Sequence, residues 1–150
     1  MEREADVCEH CGCAKIAPIA ELMSEHRTML ELAGEVRGAL STDDQQAARA
    51  RFAGLVDVLS RHSAKEERGV LAAVRHSGEY VEYVSDLEED HALLAEAVRA
   101  SGSEEEEWAR HVKAFLDDLA HHFEREEQGL FPAALASLDA EEWETVEQAR

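Results

Sequence analysis

The sequence predicts an all-α protein, namely an antiparallel up-down-up-down four-helix bundle with a short C-terminal helix. The first observation is composition: 25 Ala, 25 Glu and 15 Leu stand against only 2 Ile and 3 Thr, so helix formers dominate and strand formers are scarce. The second is that apolar residues recur at helical spacing in four long segments. The third is that only short turn-forming stretches separate these segments, which favours antiparallel neighbours.

Turn-forming residues mark out four long helices and a short fifth one. We expect helices at about 17–40, 43–76, 79–100, 104–138 and from 140 onward. Cap-forming residues at 41–44 precede the second helix, and Gly78 ends it. Ser103 and Glu106 form a capping box at the start of the fourth helix. Pro132 should kink that helix, because proline removes one backbone donor and crowds the carbonyl four residues before it.

Length and charge limit the class of protein. The 150 residues suit one domain, with the bundle at 17–150 after a cysteine-rich tail at 1–16. The net charge of −19 should repel phosphate backbones and anionic lipids, so we expect neither nucleic-acid nor membrane partners. The sequence contains no apolar run of membrane-spanning length, and its charged start at 1–6 is unlike a signal peptide. A cytoplasmic location is therefore expected.

Each predicted helix carries one apolar stripe that should face the core. Helix by helix, the stripe residues are Ile19, Leu22, Met29, Leu30, Ala33 and Val36; Phe52, Leu55, Leu59, Val70 and Ala73; Tyr80, Val84, Leu87, Leu94 and Val98; and Trp108, Phe115, Leu119 and Leu130. Near its middle every stripe is interrupted by a histidine. In the second and fourth helices a glutamate follows that histidine four residues later. The interrupting residues are His26, His62, Glu66, His91, His122 and Glu126.

An internal repeat gives these interruptions more weight than each has alone. A single histidine on an apolar face is more often a hydrogen-bonded core residue than a ligand, and glutamate is common enough here to follow histidine by chance. However, residues 59–71 align without gaps on residues 119–131, with identical Leu, His, Glu, Glu and Gly. His26 and His91 correspond more loosely. A duplicated bundle would bring both copies of this histidine and glutamate set together.

Electrostatics then favours a metal at the point where the stripes meet. Burying an unpaired carboxylate costs several kcal/mol, and no cationic side chain lies on the four stripes. A pair of cations would supply the missing charge, and imidazole with carboxylate suits iron, manganese or zinc. The register is the one difficulty: His91 lies 11 residues before Gly102 and His122 lies 20 after it. The first turns of the fourth helix must therefore extend beyond the third.

The six residues, together with the Glu-Glu-x-Gly-Leu-Phe-Pro run at 126–132, resemble the hemerythrin-like (HHE cation-binding) family over about residues 17–138. The resemblance implies a non-haem centre of two carboxylate-bridged iron ions, with those six residues as ligands, inside a four-helix bundle. Oxygen-carrying hemerythrins place a further histidine four residues after the third-helix histidine, where this chain has Ala95. The chain is thus similar to the bacterial four-His, two-Glu subgroup. That similarity implies a small ligand (O2, NO or peroxide), an electron donor and a part in the oxidative or nitrosative stress response.

Two further groups of residues are candidates for metal chemistry. Cys8, His10, Cys11 and Cys13 precede the bundle and could hold a further zinc or iron ion, or form a thiol-disulfide pair that senses oxidants. Incidental thiols in a frayed tail are an equally good interpretation. His111 could reach its stripe as a spare ligand, although packing is the favoured interpretation.

Three functions remain open from the sequence. The first is binding or processing of a small ligand at the iron centre, with or without catalysis. The second is a module that stores or delivers iron or zinc, without redox chemistry. The third is an interaction protein with no metal site. A ferritin-like fold is set aside, because only Glu88-x-x-His91 matches the paired Glu-x-x-His motifs of that fold.

Overall fold

The computed structural model describes residues 16–100 and 104–150, which are helical along most of their length and contain no strand. The helices are α1 (Ala17–Ser41), α2 (Gln45–Arg68), α3 (Val70–Ser77), α4 (Val81–Ala100), α5 (Glu105–Arg125), a π-helical turn (Glu126–Leu130), α6 (Phe131–Ser137) and α7 (Ala140–Gln148). The predicted all-α class is confirmed. The cysteine cluster of the tail and the predicted cap residue Ser103 lie outside the described residues.

The predicted second helix is divided into α2 and α3 at Gly69, a break that the sequence analysis did not predict. Gly69 has φ −109° and ψ −99°, which is not helical backbone. A Cβ atom at this position would lie 2.9 Å from the Lys65 carbonyl oxygen, so the tight turn requires glycine. The predicted limits of 43–76 lie within two residues of the observed ones, but the prediction of one continuous helix was wrong.

The fourth predicted helix is also irregular, and its irregularity lies just before Pro132. The π-helical turn ends at Leu130, and α6 then begins with the proline in its first turn. Within the π turn, a Cβ atom on Gly129 would overlap the hydroxyl of Tyr83, which donates a hydrogen bond to the Arg125 carbonyl. Gly69 and Gly129 occupy the same position of the internal repeat, so both copies are irregular at the same place.

Two apolar clusters fill the interior. Cluster 1 contains Ile19, Leu22, Met23, Val70, Leu71, Val74, Val84, Leu87, Leu130, Phe131, Ala134, Leu138 and Val146. Cluster 2 contains Met29, Ala33, Val36, Ala48, Phe52, Leu55, Leu59, Leu94, Trp108, Val112, Phe115, Leu116, Leu119 and Phe123. Along α1, for example, cluster 1 ends at Met23 and cluster 2 begins at Met29, so His26 lies at the division. His62 and His91 lie at the same division, and on the fourth segment Glu126, one turn after His122, lies there.

The structure buries most of the predicted stripe residues but not Leu30, which is 42% exposed. The prediction for Leu30 was wrong because the face of α1 that the structure buries is narrower than the apolar stripe predicted from the sequence. Met29 and Ala33 already fill this part of the core, and Leu30 lies beside them on the outer side. Three further stripe residues are half-buried, namely Ala73, Tyr80 and Val98.

The short C-terminal helix α7 closes the cluster 1 end of the protein. It begins with a capping box in which the Asp139 side chain accepts from the Glu142 backbone N–H and Glu142 accepts from that of Asp139. Val146 is buried in cluster 1. Arg150, two residues after the end of the helix, forms an ion pair with Glu21 of α1, with 3.0 Å between Nε and Oε1. The helix is thus attached both by apolar packing and by an ion pair.

No helix in the described ranges is both long enough and apolar enough to cross a bilayer, which needs about 20 predominantly apolar residues.

Candidate metal centre

Six buried polar side chains form a layer between the two apolar clusters. They are His26, His62, Glu66, His91, His122 and Glu126. Each is at most 7% exposed, and both glutamates are fully buried. The structure therefore brings together all six side chains that the sequence analysis singled out. The rings of His91 and His122 have centroids 4.8 Å apart, so the register difficulty between α4 and α5 does not separate them.

The six side chains form two overlapping groups, each able to hold one metal ion. The first group contains His26 and His62, and the second contains His91 and His122. Both groups include Glu66 and Glu126, and within each group the potential ligand atoms lie within 4.8 Å of one another. Each group could therefore hold one metal ion, and the two groups have both carboxylates in common.

The two oxygens of each carboxylate face different groups. Glu66 places Oε2 3.1 Å from His62 Nε2 and Oε1 3.2 Å from His91 Nε2. Glu126 places Oε1 2.9 Å from His26 Nε2 and Oε2 2.9 Å from His122 Nε2. Each carboxylate therefore presents one oxygen to each group, which is the orientation that a ligand bridging two metal ions requires.

Most of these facing atoms are close to one another without forming hydrogen bonds. The Nε2 atoms of His26, His62 and His122, both oxygens of Glu66 and Oε1 of Glu126 find no hydrogen-bond partner in the described part of the chain. Buried polar atoms are nearly always hydrogen-bonded, and a buried carboxylate needs a cation. Metal ions placed between the histidine nitrogens and the carboxylate oxygens would bind these unpaired atoms and would also supply the positive charge that the carboxylates need. The donor set thus fits divalent transition metals.

The opposite nitrogen of every one of these histidines is bonded to a carboxylate. The Nδ1 pairs are His26 with Glu127 at 2.8 Å, His62 with Glu25 at 2.6 Å, His91 with Glu67 at 2.9 Å and His122 with Asp90 at 3.1 Å. A proton on Nδ1 donated to the carboxylate leaves the Nε2 lone pair directed at the centre. These four acidic residues therefore fix both the ring orientation and the tautomer that metal binding needs.

Two cationic side chains hold two of these carboxylates in turn. Lys65 donates to Glu25, and Arg125 donates to Asp90. Lys65 and Arg125 occupy the same position of the internal repeat. The histidines bonded to Glu25 and Asp90, which are His62 and His122, also occupy one position of the repeat. No role was predicted for Glu25, Asp90 and the two cations. An acidic residue directly before His26 and before His91, and the Lys/Arg match of the repeat, were the signals that could have identified them.

Protons are the cations that balance the two buried carboxylates in the metal-free protein. Burial disfavours protonation of His62, but the charge of Glu66 and the hydrogen bond to Glu25 outweigh it and raise the His62 pKa to about 9. Burial opposes protonation of His91 as well, yet Glu126 and Glu66 raise its pKa to about 11. Burial would raise the pKa of Glu126, but the adjacent imidazoles of His122, His26 and His91 keep it well below its usual value. Metal ions would replace these protons, so binding should release protons.

The remaining candidates of the sequence analysis do not join this centre. His111 is exposed, so both its interpretation as a packed core residue and its possible role as a spare ligand were wrong. His111 lies on the outer side of α5, between the buried Trp108 and Val112 but facing solvent. The predicted cluster of Cys8, His10, Cys11 and Cys13 lies outside the part of the chain that the structure describes.

Comparison with known proteins gives one family. The family model described as the hemerythrin HHE cation binding domain matches residues 17–134, a range that contains all six side chains of the centre. No curated protein and no solved structure matches the chain.

Proposed function

The chain belongs to the hemerythrin HHE cation-binding family, and we propose that it is a non-haem di-iron protein that binds or processes a small ligand such as O2, NO or peroxide. The observation that carries the proposal is the orientation of Glu66 and Glu126, each with one oxygen toward each histidine pair. Family membership and the buried histidine and glutamate groups support metal binding. The identity of the metal, the ligand and a role in oxidative or nitrosative stress are parts of the proposal.

The number and type of donors support two iron ions with free coordination positions. Each group offers two imidazole nitrogens and two carboxylate oxygens, which suit borderline metals such as iron. Iron commonly takes six ligands, so four protein donors leave room for a solvent bridge and a small external ligand. When bound, the iron would supply Lewis-acid and redox chemistry.

The chain's own residues would hold and insulate such a centre. Glu25, Glu67, Asp90 and Glu127 orient the imidazoles through their Nδ1 atoms. The two apolar clusters exclude water from the layer on both sides, which strengthens the attraction between the carboxylates and a cation. A redox cycle would also need an electron donor, which the proposal leaves as an external partner.

We further infer that the four long helical segments run antiparallel in the up-down-up-down order. The order of the clusters along the chain supports this topology. Cluster 1 precedes cluster 2 along α1 and α4, whereas cluster 2 precedes cluster 1 along α2–α3 and along α5–α6. Consecutive segments that alternate between the two clusters must reverse direction if the clusters occupy opposite ends of one bundle.

Iron reconstitution with rapid kinetics tests the proposed function. Ferrous iron is added to the metal-free protein under anaerobic conditions, and the iron bound per chain is measured by elemental analysis. The protein is then mixed with O2, NO or hydrogen peroxide in a stopped-flow spectrometer. The proposal predicts two iron ions per chain and a new absorption band with at least one of the three ligands.

Two results would overturn it. Bound metal that exchanges with chelators but reacts with none of the three ligands would favour storage or delivery of iron or zinc. The absence of any stoichiometric metal would favour an interaction protein without a site.

A further inference from the structure

A series of ion pairs connects the metal centre with the segment that follows α7. Glu25, which accepts from His62 Nδ1 with one oxygen, is bound on its other oxygen by Lys65. Lys65 also donates to Glu21 Oε1 at 3.0 Å. Arg150 then binds both oxygens of Glu21, through Nε at 3.0 Å and through Nη2 at 3.1 Å. Glu25, Lys65, Glu21 and Arg150 thus form an ion-pair network that ends at a histidine of the centre.

The ion-pair network is partly sheltered from water. The side chains of Lys65 and Glu25 are 18% and 26% exposed, and those of Arg150 and Glu21 are 32% and 34% exposed. The hydrogen bonds from Arg150 keep the pKa of Glu21 below its ordinary value, so Glu21 is charged at neutral pH. An isolated exposed ion pair adds little, whereas a network with a bidentate arginine and partial shelter holds its geometry better.

The helix α7 fixes the position from which Arg150 reaches α1. Arg68 Nε donates to the carbonyl of Ala149 at 3.1 Å. The Cβ of Ala149 lies 3.5 Å from the Cβ position of Gly69, at the end of α2. Val146 is buried in cluster 1. Because these contacts hold the backbone beside it, Arg150 needs to lose little further freedom to bind its carboxylate partner.

The second histidine pair lacks this extension. Arg125 binds Asp90, which is the carboxylate that orients His122. Among the described residues, however, Arg125 pairs with no second carboxylate. Asp86, which occupies the position of Glu21 when the two halves of the sequence are matched, is exposed. The connection to α7 is therefore a feature of one half of the centre.

We propose that Glu21 and Arg150 are positioning residues of the metal centre. They hold Lys65 in place, and Lys65 in turn keeps Glu25 against His62, so that Nε2 of the imidazole stays directed at the metal position. Arg150 lies beyond the part of the chain that the family model matches, so the proposal adds a residue that family membership does not imply. It rests on the proposed function in requiring a bound metal, but not in the choice of iron or of a small ligand.

Cobalt(II) is the probe for the test, because it takes imidazole ligands and its paramagnetism moves the NMR signals of their Nδ1 protons out of the crowded region. Each histidine of the centre should give one such signal, which nuclear Overhauser effects to neighbouring side chains assign. The exchange of this proton with D2O reports how tightly its acidic partner holds it. The affinity for Co2+ is measured in parallel by competition with a chelator.

Two variants interrupt the ion-pair network, and each has a matched control. Glu21→Gln and Arg150→Gln remove one charge each. The controls are Glu35→Gln and Arg51→Gln, because Glu35 and Arg51 form an ion pair at 2.9 Å that also joins α1 to α2. Among the described residues, neither of these two contacts a histidine of the centre. All four side chains lie outside the two apolar clusters, so the variants should fold.

We expect Glu21→Gln and Arg150→Gln to weaken Co2+ binding by about three- to tenfold. This is less than the roughly 10–100-fold typical of a direct partner of a ligand, because both residues act through Glu25. The Nδ1 proton of His62 should exchange faster in both variants, while the signals of the other histidines stay unchanged. The two control variants should match the wild type within about twofold.

Two results would overturn the positioning role. One is wild-type affinity and wild-type exchange of the His62 proton in both Glu21→Gln and Arg150→Gln. The other is faster exchange of all the histidine signals alike, which would indicate a general loosening of the fold. In both cases the wild type still binds metal, so the proposed function survives. A wild type that bound neither Co2+ nor iron would overturn the proposed function and the positioning role together.

Discussion

The carboxylate of Glu25 on α1 lies 2.6 Å from Nδ1 of His62 on α2, although Glu25 is the sequence neighbour of a different histidine of the centre. The same crossed relationship recurs between Asp90 on α4 and His122 on α5, at 3.1 Å. The internal repeat therefore extends beyond the six potential ligands. It includes the acidic residues that orient the imidazoles, which links the sequence duplication directly to the chemistry of the layer.

Removing one potential ligand should reduce metal content and thermal stability together. His62→Ala deletes a nitrogen donor of the first group, and a metal that binds the folded chain stabilises it by mass action. We expect a clear fall in iron per chain and a loss of ~3 kcal/mol of metal-linked stability, or about 10 °C in Tm. Elemental analysis and differential scanning calorimetry measure both quantities. His121→Ala is the control, because the His121 side chain is 72% exposed; an unchanged metal-to-protein ratio in His62→Ala would refute its ligand role.

Neutralising the partner of a histidine should weaken metal binding without removing a donor. Glu25→Gln retains an oxygen for the hydrogen bond from His62 but loses the negative charge that makes the imidazole a better ligand. The iron affinity should fall by about 10–100-fold, as judged by competition with a chelator. Glu31→Gln, an exposed change of the same kind on α1, should have no effect. Equal affinities for both variants would show that the Glu25 contact does not tune the site.

The metal-free protein should lose stability as the pH rises from neutral to alkaline values. The pKa of His62 is raised in the folded state to about 9 and that of His91 to about 11, above the ordinary value of 6.5. A group with a raised folded pKa binds protons more tightly when folded, so its stabilisation is complete below about pH 6.5 and is lost as the pH passes the folded value. Denaturant unfolding at pH 7 and pH 10 measures this difference.

A comparison with the iron-loaded protein separates this effect from other alkaline titrations. Metal ions replace the protons on the centre, so the loaded protein should lose less stability over the same pH interval. The pH effect in the metal-free protein should also shrink in His62→Gln, which has no imidazole to titrate at that position. Metal-free wild type that is equally stable at pH 7 and pH 10 would contradict this prediction.

The contact between Tyr83 and Gly129 should make the π-helical turn intolerant of a side chain. In Gly129→Ala the new Cβ would overlap the Tyr83 hydroxyl, and we expect a destabilisation of about 1–3 kcal/mol. Gly54→Ala, within α2 and with open space around it, should instead be neutral or stabilising by up to ~1 kcal/mol. Chemical denaturation of the two variants measures the difference. Equal effects would show that Tyr83 does not restrict this turn.

Helical periodicity was sufficient to predict which histidines and glutamates face the core. His26 and His91 lie on apolar stripes, and spacing along a helix alone determines which side chains share a stripe. Periodicity says nothing about how far each helix is rotated and shifted against its neighbour. The partner of each Nδ1 depends on that rotation and shift, so the contact of Glu25 with His62 rather than with a nearer residue was not predictable.

The helix break at Gly69 illustrates a second limit. Gly34 and Gly54 lie inside α1 and α2 without interrupting them, so the presence of glycine does not by itself predict where a helix ends. Gly69 is distinguished by its close approach to the Lys65 carbonyl and by the packing of α7 next to it, with Ala149 at 3.5 Å from the Cβ position. Both are tertiary features. The internal repeat provided only a hint, because it aligns Gly69 with Gly129.

In the proposed centre, two metal ions share Glu66 and Glu126 between two pairs of histidines. Anomalous diffraction at the iron absorption edge, from crystals of the iron-loaded protein, tests it directly. We expect two anomalous peaks in the buried layer, one beside His26 and His62 and the other beside His91 and His122, with an oxygen of each glutamate at both. A single peak, or iron bound only at surface carboxylates, would contradict it.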